Sequence, residues 1–509
     1  MYLLLSKASA IGLTPPLLQF GRTPLVDIVP NEAGESLSTD RFDLPAPVEE
    51  SSPMQLDESI LKMRRRVFLQ MGGLSSLGLT LPELLRHRQA AGAESRPAAK
   101  AKAGILLYMT GGPAQQETLD LKPDAPEAPR GEFRPIPTSV TGTQICELLP
   151  QLAKNAHRYA IIRSMHHDQT FHGGGSHYNL TGFPHAPRDP TPEFYLDRRD
   201  SPSIGGVIQQ LRGYRNGLPA AVQLPWWIGH GMFERFAGQT AGFLGSQYDP
   251  LQIFYPEKKE LPGTLPADFR LSEGVSSQRL SHRLQLLDSI TRGTLSNGKG
   301  EQQFTKHQAQ ALDVLNSGGA WRAFSIEDEK PATIERYGDS KFGRSCLVAR
   351  RLVEAGVSLV TVAWPGHENH WDTHSDHFRM MREELLPPMD RGFSALLEDL
   401  ADRGMLDETL VAWTGEFGRT PAINGNKPAG RDHWPWVYST VLAGGGIRGG
   451  QVYGSSDSIA AHPKDNPVHA RDFVATIYHA LGFEPSTTVI DLSGQPHHVV
   501  PENPVTALF

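Results

Sequence analysis

The sequence predicts an α/β fold in which helices cover both faces of a mostly parallel central sheet. Three apolar runs, Gly104–Thr110, Val357–Ala363 and Thr409–Thr414, have the length of strands and are bounded by Gly or Pro residues. Such runs are typical of strands that are buried on both faces of a parallel sheet. Amphipathic helical segments alternate with them along the chain, and this alternation favours the α/β class over the others.

The bulk composition is that of a globular protein without a basic surface. The chain has 509 residues, of which 39% are hydrophobic and 21% charged, and its formal net charge is -7. We therefore expect no nucleic-acid partner, because nucleic acids bind to basic surfaces. Cys146 and Cys346 are too few for a disulfide framework or a four-cysteine zinc site. We expect buried free thiols, with one bridge between them as the alternative.

Residues 63–93 have the features of a twin-arginine signal peptide. The arginines Arg64–Arg66 precede Phe68 and Leu69, an apolar Gly-rich run follows, and Ala91–Ala93 is a small-residue cleavage site. The apolar run, at about 15 residues, is too short for a transmembrane helix. We expect export by the twin-arginine translocase to the periplasm or the extracellular space, with no transmembrane helix in the mature chain. An amphipathic helix of the mature domain is the alternative.

Residues 1–62 precede this signal and are rich in Pro, Ser and acidic residues, with little periodicity. This composition is typical of a disordered segment. Because a twin-arginine signal belongs near the start of a chain, we expect either a disordered extension or a misassigned start, with translation beginning at Met63.

The other elements of the predicted domain, residues 104–509, follow from local patterns. Apolar residues recur at helical spacing in Arg344–Ala355 and again from Pro387 or Pro388 to Gly404. Residues from about 187 to 330 are rich in Pro and Gly, and we predict that they form a long loop-rich insertion such as a lid. The remaining predicted elements are the helices Leu148–Ala156, Ser277–Thr291 and Asp472–Leu481, the last capped by Asp472, and the strands Tyr159–Arg163 and Val437–Leu442.

The stretch His367–His377 is the strongest candidate for a functional site. Seven of its eleven residues can ligate a metal or move a proton, namely four His, one Glu and two Asp. It follows the strand Val357–Ala363, which can hold it rigidly. Imidazole and carboxylate groups suit zinc, manganese or iron. The alternative is a polar loop that is merely rich in histidine.

Loops that are distant in sequence meet at one edge of a parallel sheet, because the carboxyl ends of its strands lie together there. The loops after the predicted strands carry acidic and imidazole groups. We therefore predict a metal site with ligands from Asp120, His172, His177, Asp372, His374, Glu416, Asp432 and His433.

Some of these residues have structural alternatives. His172 and His177 bracket a glycine run that we expect to be a flexible loop, where they would be scattered surface residues. Asp432 and His433 can instead form a hydrogen-bonded pair, and Glu416 can instead pair with Arg419.

Three residues are candidates for the chemical step. The planar guanidinium of Arg419 is suited to gripping a phosphate or sulfate group, with a supporting ion pair as the alternative. The hydroxyls of Thr118 and Ser176 are candidate nucleophiles.

Several motifs resemble the exported bacterial family called domain of unknown function 1501, and the resemblance extends from about Arg64 to Leu481. These motifs are Arg65-Arg66-x-Phe-Leu, Thr110-Gly-Gly-Pro, Gly343–Val357, Trp371-Asp-Thr-His, Gly415–Pro421, Gly430–Pro435 and Ala443–Gly450.

That family is similar in fold to the alkaline phosphatase and sulfatase superfamily, and the resemblance implies a metal-assisted hydrolase. It implies one or two divalent ions, such as zinc, manganese, calcium or magnesium, and it places Asp372, His374, Glu416 and His433 at ligand positions. The chain lacks the Cys/Ser-x-Pro-x-Arg motif of sulfatases, and it departs from the superfamily at two ligand positions. Thr110 and Gly111 replace the ligating Asp after the first strand, and Phe417 replaces a His.

Two functional hypotheses follow. The first is an exported metal-dependent hydrolase of phosphate or sulfate esters, acting on a small molecule or a polysaccharide. The alternative is a non-catalytic exported binding or assembly protein that retains the fold and a structural metal.

Overall fold

The computed structural model describes residues 101–185, 196–215, 217–231, 234–255, 260–264, 275–291, 322–365, 370–500 and 502–509. The predicted extension, 1–62, and the predicted signal peptide, 63–93, lie outside these residues. Within them, no helix has the length and hydrophobicity needed to cross a membrane.

The centre of the fold is a large sheet, to which the described residues contribute nine strands. These strands are β1 (Ala103–Tyr108), β2 (Tyr159–His166), β3 (Ala221–Leu224), β4 (Leu251–Gln252), β5 (Leu359–Ala363), β6 (Thr409–Thr414), β7 (Tyr438–Ala443), β8 (Val452–Tyr453) and β9 (Val468–His469).

The strand order is β8-β2-β7-β6-β1-β5-β3-β4, and β9 also pairs with β2. β1 lies between β5 and β6 and runs parallel to both, and β3 and β4 continue this parallel arrangement. β7 runs antiparallel to its neighbours β6 and β2, whereas β8 and β9 are parallel to β2. The predicted mostly parallel sheet is confirmed.

Helices pack against both faces of this sheet, also as predicted. The longer ones are α1 (Pro150–Lys154), α2 (His172–Thr181), α3 (Ile204–Arg212), α4 (Ser277–Thr291), α5 (Pro331–Tyr337), α6 (Lys341–Glu354), α7 (Leu386–Asp402) and α8 (Ala470–Ala480). A helical turn, His377–Met380, leads through a π-helical turn, Met381–Leu385, into α7.

The two faces of β1 show how the core is divided. Side chains alternate along a strand, so Ile105 and Leu107 join one apolar cluster with α6 and α7. Leu106 and Tyr108 join a second cluster, with α3 and α8, on the opposite face. The centre of the sheet is therefore buried on both sides, which explains why its strands are continuous apolar runs.

Part of the segment predicted as a loop-rich insertion, residues 187–330, belongs to the sheet. It supplies β3 and β4, and α3 packs on one face. β3 has four residues and β4 has two, so each is too short to give a recognisable apolar pattern in the sequence. The helix Ser277–Thr291 is present as predicted.

The start of α8 differs by a few residues from the prediction. The cap is His469, whose side chain accepts the backbone N–H of Arg471 at 3.2 Å. Asp472 lies inside the first turn and accepts the backbone N–H of His469 at 3.0 Å. Asp472 therefore completes a capping box instead of being the cap residue itself.

The glycine run between His172 and His177 is a buried helix, α2, and not the flexible loop that its composition suggests. A Cβ added at Gly175 would lie 3.0 Å from the carbonyl oxygen of Glu416. Glycine is therefore needed here because the helix lies so close to the loop after β6.

Candidate metal centre

The carboxyl ends of β1, β5 and β6 bring three loops into contact at one edge of the sheet. The backbone N–H of Trp371 donates to the carbonyl of Thr110 at 2.8 Å, and the N–H of Gly111 donates to the carboxylate of Glu416 at 2.9 Å. A Cβ added at Gly111, whose φ is +108°, would lie 2.3 Å from the backbone nitrogen of Asp372. The turn after β1 therefore positions Asp372 through direct backbone contact.

A short hairpin brings His433 to the same edge of the sheet. Gly418–Arg419 pairs antiparallel with His433–Trp434, so that Arg419 lies opposite His433. This pairing places the side chain of His433 over the loop that carries Asp372 and His374.

The carboxylate of Asp372 is the centre of the group. Its Oδ1 accepts a hydrogen bond from Nη2 of Arg419 at 2.5 Å and lies 3.0 Å from Nε2 of His374 and 3.1 Å from Nε2 of His433. Its Oδ2 lies 3.3 Å from Nε2 of His172. Burial alone would raise the pKa of Asp372, but the charge of Arg419 and the three histidines hold it well below its usual value. Asp372 is therefore a carboxylate at neutral pH.

The Nδ1 atoms of His433 and His374, which face away from Asp372, each donate a hydrogen bond to an oxygen. Nδ1 of His433 donates to the carbonyl of Thr170 at 2.8 Å, and Nδ1 of His374 donates to Oδ1 of Asp432 at 2.6 Å. In their neutral forms, both rings then direct the lone pair of Nε2 inwards, where the two Nε2 atoms are 3.0 Å apart. This is the arrangement in which histidine ligates metals, with an outer acceptor that fixes the tautomer.

These atoms fit a divalent cation. Three acceptors, Oδ1 of Asp372 and Nε2 of His374 and His433, lie 3.0–3.1 Å from one another. Bonds of about 2.0–2.1 Å to a tetrahedral zinc place neighbouring ligand atoms about 3.3 Å apart. With neutral rings, no proton separates these acceptors, and a cation between them would remove their mutual repulsion.

His172 lies between two carboxylates at the start of α2. Its Nε2 faces Asp372, and its Nδ1 is 3.6 Å from Oε1 of Glu416. Burial alone would lower the pKa of His172, but the nearby carboxylates of Asp372 and Glu416 raise it to about 9. His172, Asp372 and His433 each also offer a ligand atom within 4.8 Å of the others. His172 can therefore hold a proton between the carboxylates or act as a ligand.

Glu416 is held in place through its backbone as well as its side chain. Nε2 of His167 donates to the carbonyl of Glu416 at 2.6 Å, and the side-chain amide of Asn179 donates to the same oxygen at 2.9 Å. Its carboxylate is fully buried and accepts the N–H of Gly111. Glu416 therefore anchors the turn after β1 and faces His172, whereas Asp432 lies behind His374.

Two further histidines lie against the group. The rings of His230 and His370 stack with centroids 4.2 Å apart, and His230 is also 4.6 Å from His172. His370 belongs to the predicted stretch, whose residues 367–369, including His367, lie outside the described residues. His230 is absent from our predicted ligands, because a single histidine between two glycines carries no spacing signal.

Two predicted ligands have other partners. Asp120 forms ion pairs with Lys122 at 2.9 Å and Arg163 at 3.7 Å, and it accepts a hydrogen bond from Ser456. These contacts give the buried carboxylate of Asp120 partners other than the residues around Asp372.

His177 faces away from His172. Nδ1 of His177 is 2.9 Å from the carbonyl of Phe183, and its ring is 5.1 Å from that of His185. Because the glycine run is helical, positions 172 and 177 point about 140° apart around the axis. The expectation that both line one site relied on a loop, and the helix removes that basis.

The three residues predicted for the chemical step are all buried, and hydrogen bonds hold two of them, Thr118 and Arg419. Thr118 donates to the carbonyl of Ala114 at 2.7 Å, and Ser176 is fully buried beside the hydroxyl of Tyr108. Arg419 donates four of its five N–H groups to Asp372 and to the carbonyls of three neighbouring residues, Gly111, Gly112 and Arg431. This geometry favours the alternative for Arg419, an ion pair that holds Asp372.

A buried network supports the two loops that carry His374 and Asp432. Oε1 of Glu117 accepts hydrogen bonds from Arg431 at 2.6 and 3.1 Å, and Nε2 of His377 is 3.3 Å from Oε2 of Glu117. Nδ1 of His377 is 2.6 Å from Oγ1 of Thr373. Burial alone would raise the pKa of Glu117, but Arg431 and His377 hold it below its usual value. The network connects Thr373 to Arg431. These residues directly precede His374 and Asp432, respectively.

The fold is similar to several solved structures. A protein in the alkaline phosphatase superfamily from Vibrio parahaemolyticus is 12% identical, with a TM-score of 0.34, and the match covers 76% of this chain and 69% of that chain. Alkaline phosphatase from the Antarctic bacterium TAB5 is 14% identical, with a TM-score of 0.32 and coverage of 70% and 95%. The lipoteichoic acid synthase LtaP from Listeria monocytogenes is 10% identical, with a TM-score of 0.36 and coverage of 77% and 74%.

A comparison with curated proteins found no match. The model of a family described as "Protein of unknown function (DUF1501)" matches residues 101–509. This match confirms the family that the motifs predicted. The chain belongs to the DUF1501 family.

Proposed function

We propose that this protein is a metal-dependent hydrolase of phosphate or sulfate esters. The observation that carries the proposal is the set of three acceptor atoms from Asp372, His374 and His433, which lie 3.0–3.1 Å from one another. The outer nitrogen of each ring donates to a fixed oxygen. Such a centre holds a divalent ion in a defined geometry.

The donor set favours zinc among the divalent metals. Imidazole-rich sites suit zinc, whereas calcium and magnesium prefer oxygen ligands. When bound, the ion would supply Lewis-acid activation and neutralise negative charge on the ester. Asp372, His374 and His433 would hold it, while Arg419 keeps Asp372 ionised and fixed in position.

The attacking group is proposed to be water. The two predicted hydroxyl nucleophiles, Thr118 and Ser176, are buried, and the hydroxyl of Thr118 donates to the carbonyl of Ala114. His172 is suited to proton transfer, because its ring lies between the carboxylates of Asp372 and Glu416. That proton can be delivered to the oxygen of the leaving group.

The location of the substrate follows from the proposed export. Residues 63–93 have the twin-arginine pattern, which would place the folded protein in the periplasm or outside the cell. We propose that the ester is a small molecule or a polysaccharide found there.

The test is turnover of aryl phosphate and aryl sulfate esters by the purified full chain. We expect activity that is lost on chelation, returns with zinc, and is lost in His433→Ala. The control is His462→Ala, which removes an exposed histidine that is 5.9 Å from the ring of Trp434. Zinc-loaded protein without turnover of either ester class would contradict the hydrolase.

The second candidate function is a non-catalytic exported binding or assembly protein with a structural metal. The observation that favours it is the turn after β1, where Thr110 and Gly111 stand in place of a ligating acid. The hydroxyl of Thr110 donates to the carbonyl of Trp364 at 3.2 Å. Bound metal together with absent turnover would support this candidate.

A further inference from the structure

A two-stranded hairpin separates the candidate metal centre from a stacked arginine. One strand carries His230, whose ring lies 4.6 Å from that of His172 at the centre, and the other strand carries Arg235. Side chains alternate along a strand, and Arg235 extends from the face opposite to His230. On that face, Cζ of Arg235 lies 4.6 Å from the ring centroid of Trp227. The hairpin therefore presents different chemistry on its two faces.

Arg235 differs from the other arginines that lie over aromatic rings. In the described part of the chain, each of the others also donates hydrogen bonds to oxygen atoms of the protein. These others are Arg212, Arg382, Arg419, Arg431 and Arg471. The guanidinium of Arg235 forms no hydrogen bond or ion pair with a described residue. Its N–H donors are therefore available to a ligand.

The surroundings of Arg235 are suited to an anionic group next to an apolar surface. Arg235, Trp227 and Phe254 are each half-buried, and the rings of Trp227 and Phe254 have centroids 5.6 Å apart. Stacking on Trp227 restricts the orientation of the guanidinium plane before a ligand arrives. A planar guanidinium binds carboxylate, phosphate or sulfate groups through two parallel hydrogen bonds. The pair therefore offers a prepared site for an oxyanion.

We propose that Arg235 and Trp227 bind an anionic group of a polysaccharide, such as the carboxylate or sulfate of a sugar ring. The apolar face of the sugar packs against the accessible parts of Trp227 and Phe254, while Arg235 binds the charged group. One stacked cation fits a ligand with a single charge on a ring. A nucleic acid needs a basic surface instead, and the net charge of this chain is -7.

Only the connection between this site and the metal centre rests on the proposed function, because binding at Arg235 needs no metal. A ligand that extends from Arg235 across the hairpin to the centre must be longer than a simple ester. The substrate of the hydrolase is then a polysaccharide that carries anionic groups on sugars other than the one whose ester is cleaved.

The test is binding of three polysaccharides to the metal-free full chain, measured by isothermal titration calorimetry. Alginate carries carboxylates, dextran sulfate carries sulfates, and dextran is neutral. We expect binding of alginate or dextran sulfate and none of dextran, and the chain that binds identifies the charged group. Arg235→Ala should weaken this binding by about 10- to 100-fold, because hydrogen bonds to charged groups contribute about that much. Trp227→Ala should also weaken it, and Arg235→Lys should restore only part, because lysine lacks the planar fork.

The control is Arg134→Ala, which removes an equal charge from an exposed side chain and should leave the affinity unchanged. Far-ultraviolet circular dichroism checks that each variant is folded. An equal loss of affinity in the control, equal binding of dextran, or no binding of either anionic chain would overturn the site. Binding of duplex DNA that depends on Arg235 and exceeds that of both anionic chains would overturn its assignment to polysaccharide.

This experiment separates the site from the proposed hydrolase. Binding that depends on Arg235, together with absent ester turnover by the zinc-loaded chain, would contradict the hydrolase and support the anion site. Turnover of aryl esters by a chain that binds neither anionic polysaccharide would overturn the anion site and support the hydrolase.

Discussion

Replacing Asp432 by alanine should weaken zinc binding without unfolding the protein. Oδ1 of Asp432 accepts the proton on Nδ1 of His374 at 2.6 Å and thereby directs Nε2 towards Asp372. Without this acceptor, the ring can carry its proton on Nε2, which then cannot ligate. The side chain of Asp432 is 52% exposed, so we expect a loss of stability of no more than about 1 kcal/mol.

The expected size of the effect follows from the role of Asp432 as an outer partner of a metal ligand. Loss of such a partner typically weakens metal binding by about 10- to 100-fold, or about 1.4–2.8 kcal/mol. Competition between the full chain and a chelator of known affinity measures this change. Thermal unfolding of the metal-free protein measures the change in stability separately.

The control is Asp465→Ala, which removes a surface carboxylate of equal charge that accepts a hydrogen bond from Ser455 at 2.6 Å. It should leave the zinc affinity unchanged. A loss of less than about threefold in Asp432→Ala, or an equal loss in the control, would refute the orienting role. Complete loss of binding would show that Asp432 is itself a ligand, as we predicted from the sequence.

Three further expectations are checked by unfolding experiments. Gly111→Ala should lower the free energy of unfolding by about 1–3 kcal/mol more than Gly356→Ala does. The reason is that a Cβ at 111 meets the neighbouring backbone at 2.3 Å, whereas one at 356 has open space at a similar positive φ. Equal losses of stability would contradict the close approach. Glu117→Gln leaves the buried guanidinium of Arg431 without its anion and should lower the free energy of unfolding by about 3–5 kcal/mol. A loss below about 1 kcal/mol would contradict this role of Glu117. Burial raises the pKa of Asp390 to about 6, so the folded chain keeps a proton that the unfolded chain releases near pH 4. Stability should therefore fall as pH rises from about 4 to about 6, by at most about 3 kcal/mol, and Asp390→Asn should abolish this slope; an unchanged slope would exclude Asp390 as its source.

The sheet could be predicted because its central strands are buried on both faces. That burial makes β1, β5 and β6 continuous apolar runs, and a parallel sheet then places the loops after them at one edge. This rule alone predicts that Asp372, His374, Glu416 and His433 lie close together, and it needs no knowledge of side-chain contacts.

The remaining parts of the site depend on contacts that leave no local pattern. His230 reaches the centre from a hairpin of two-residue strands, and no periodicity reveals such a hairpin. Asp120 stands after β1 as predicted, but its contact with Ser456, which is distant in sequence, leaves no local pattern. The glycines between His172 and His177 suggest flexibility, whereas close packing against Glu416 makes them helical and turns His177 away.

The most direct measurement is anomalous scattering at the zinc edge from crystals of the zinc-loaded full chain. We expect a peak within about 2.0–2.2 Å of Oδ1 of Asp372 and Nε2 of His374 and His433. Strong anomalous density elsewhere, with none between these three residues, would contradict the metal centre on which the proposed hydrolase depends.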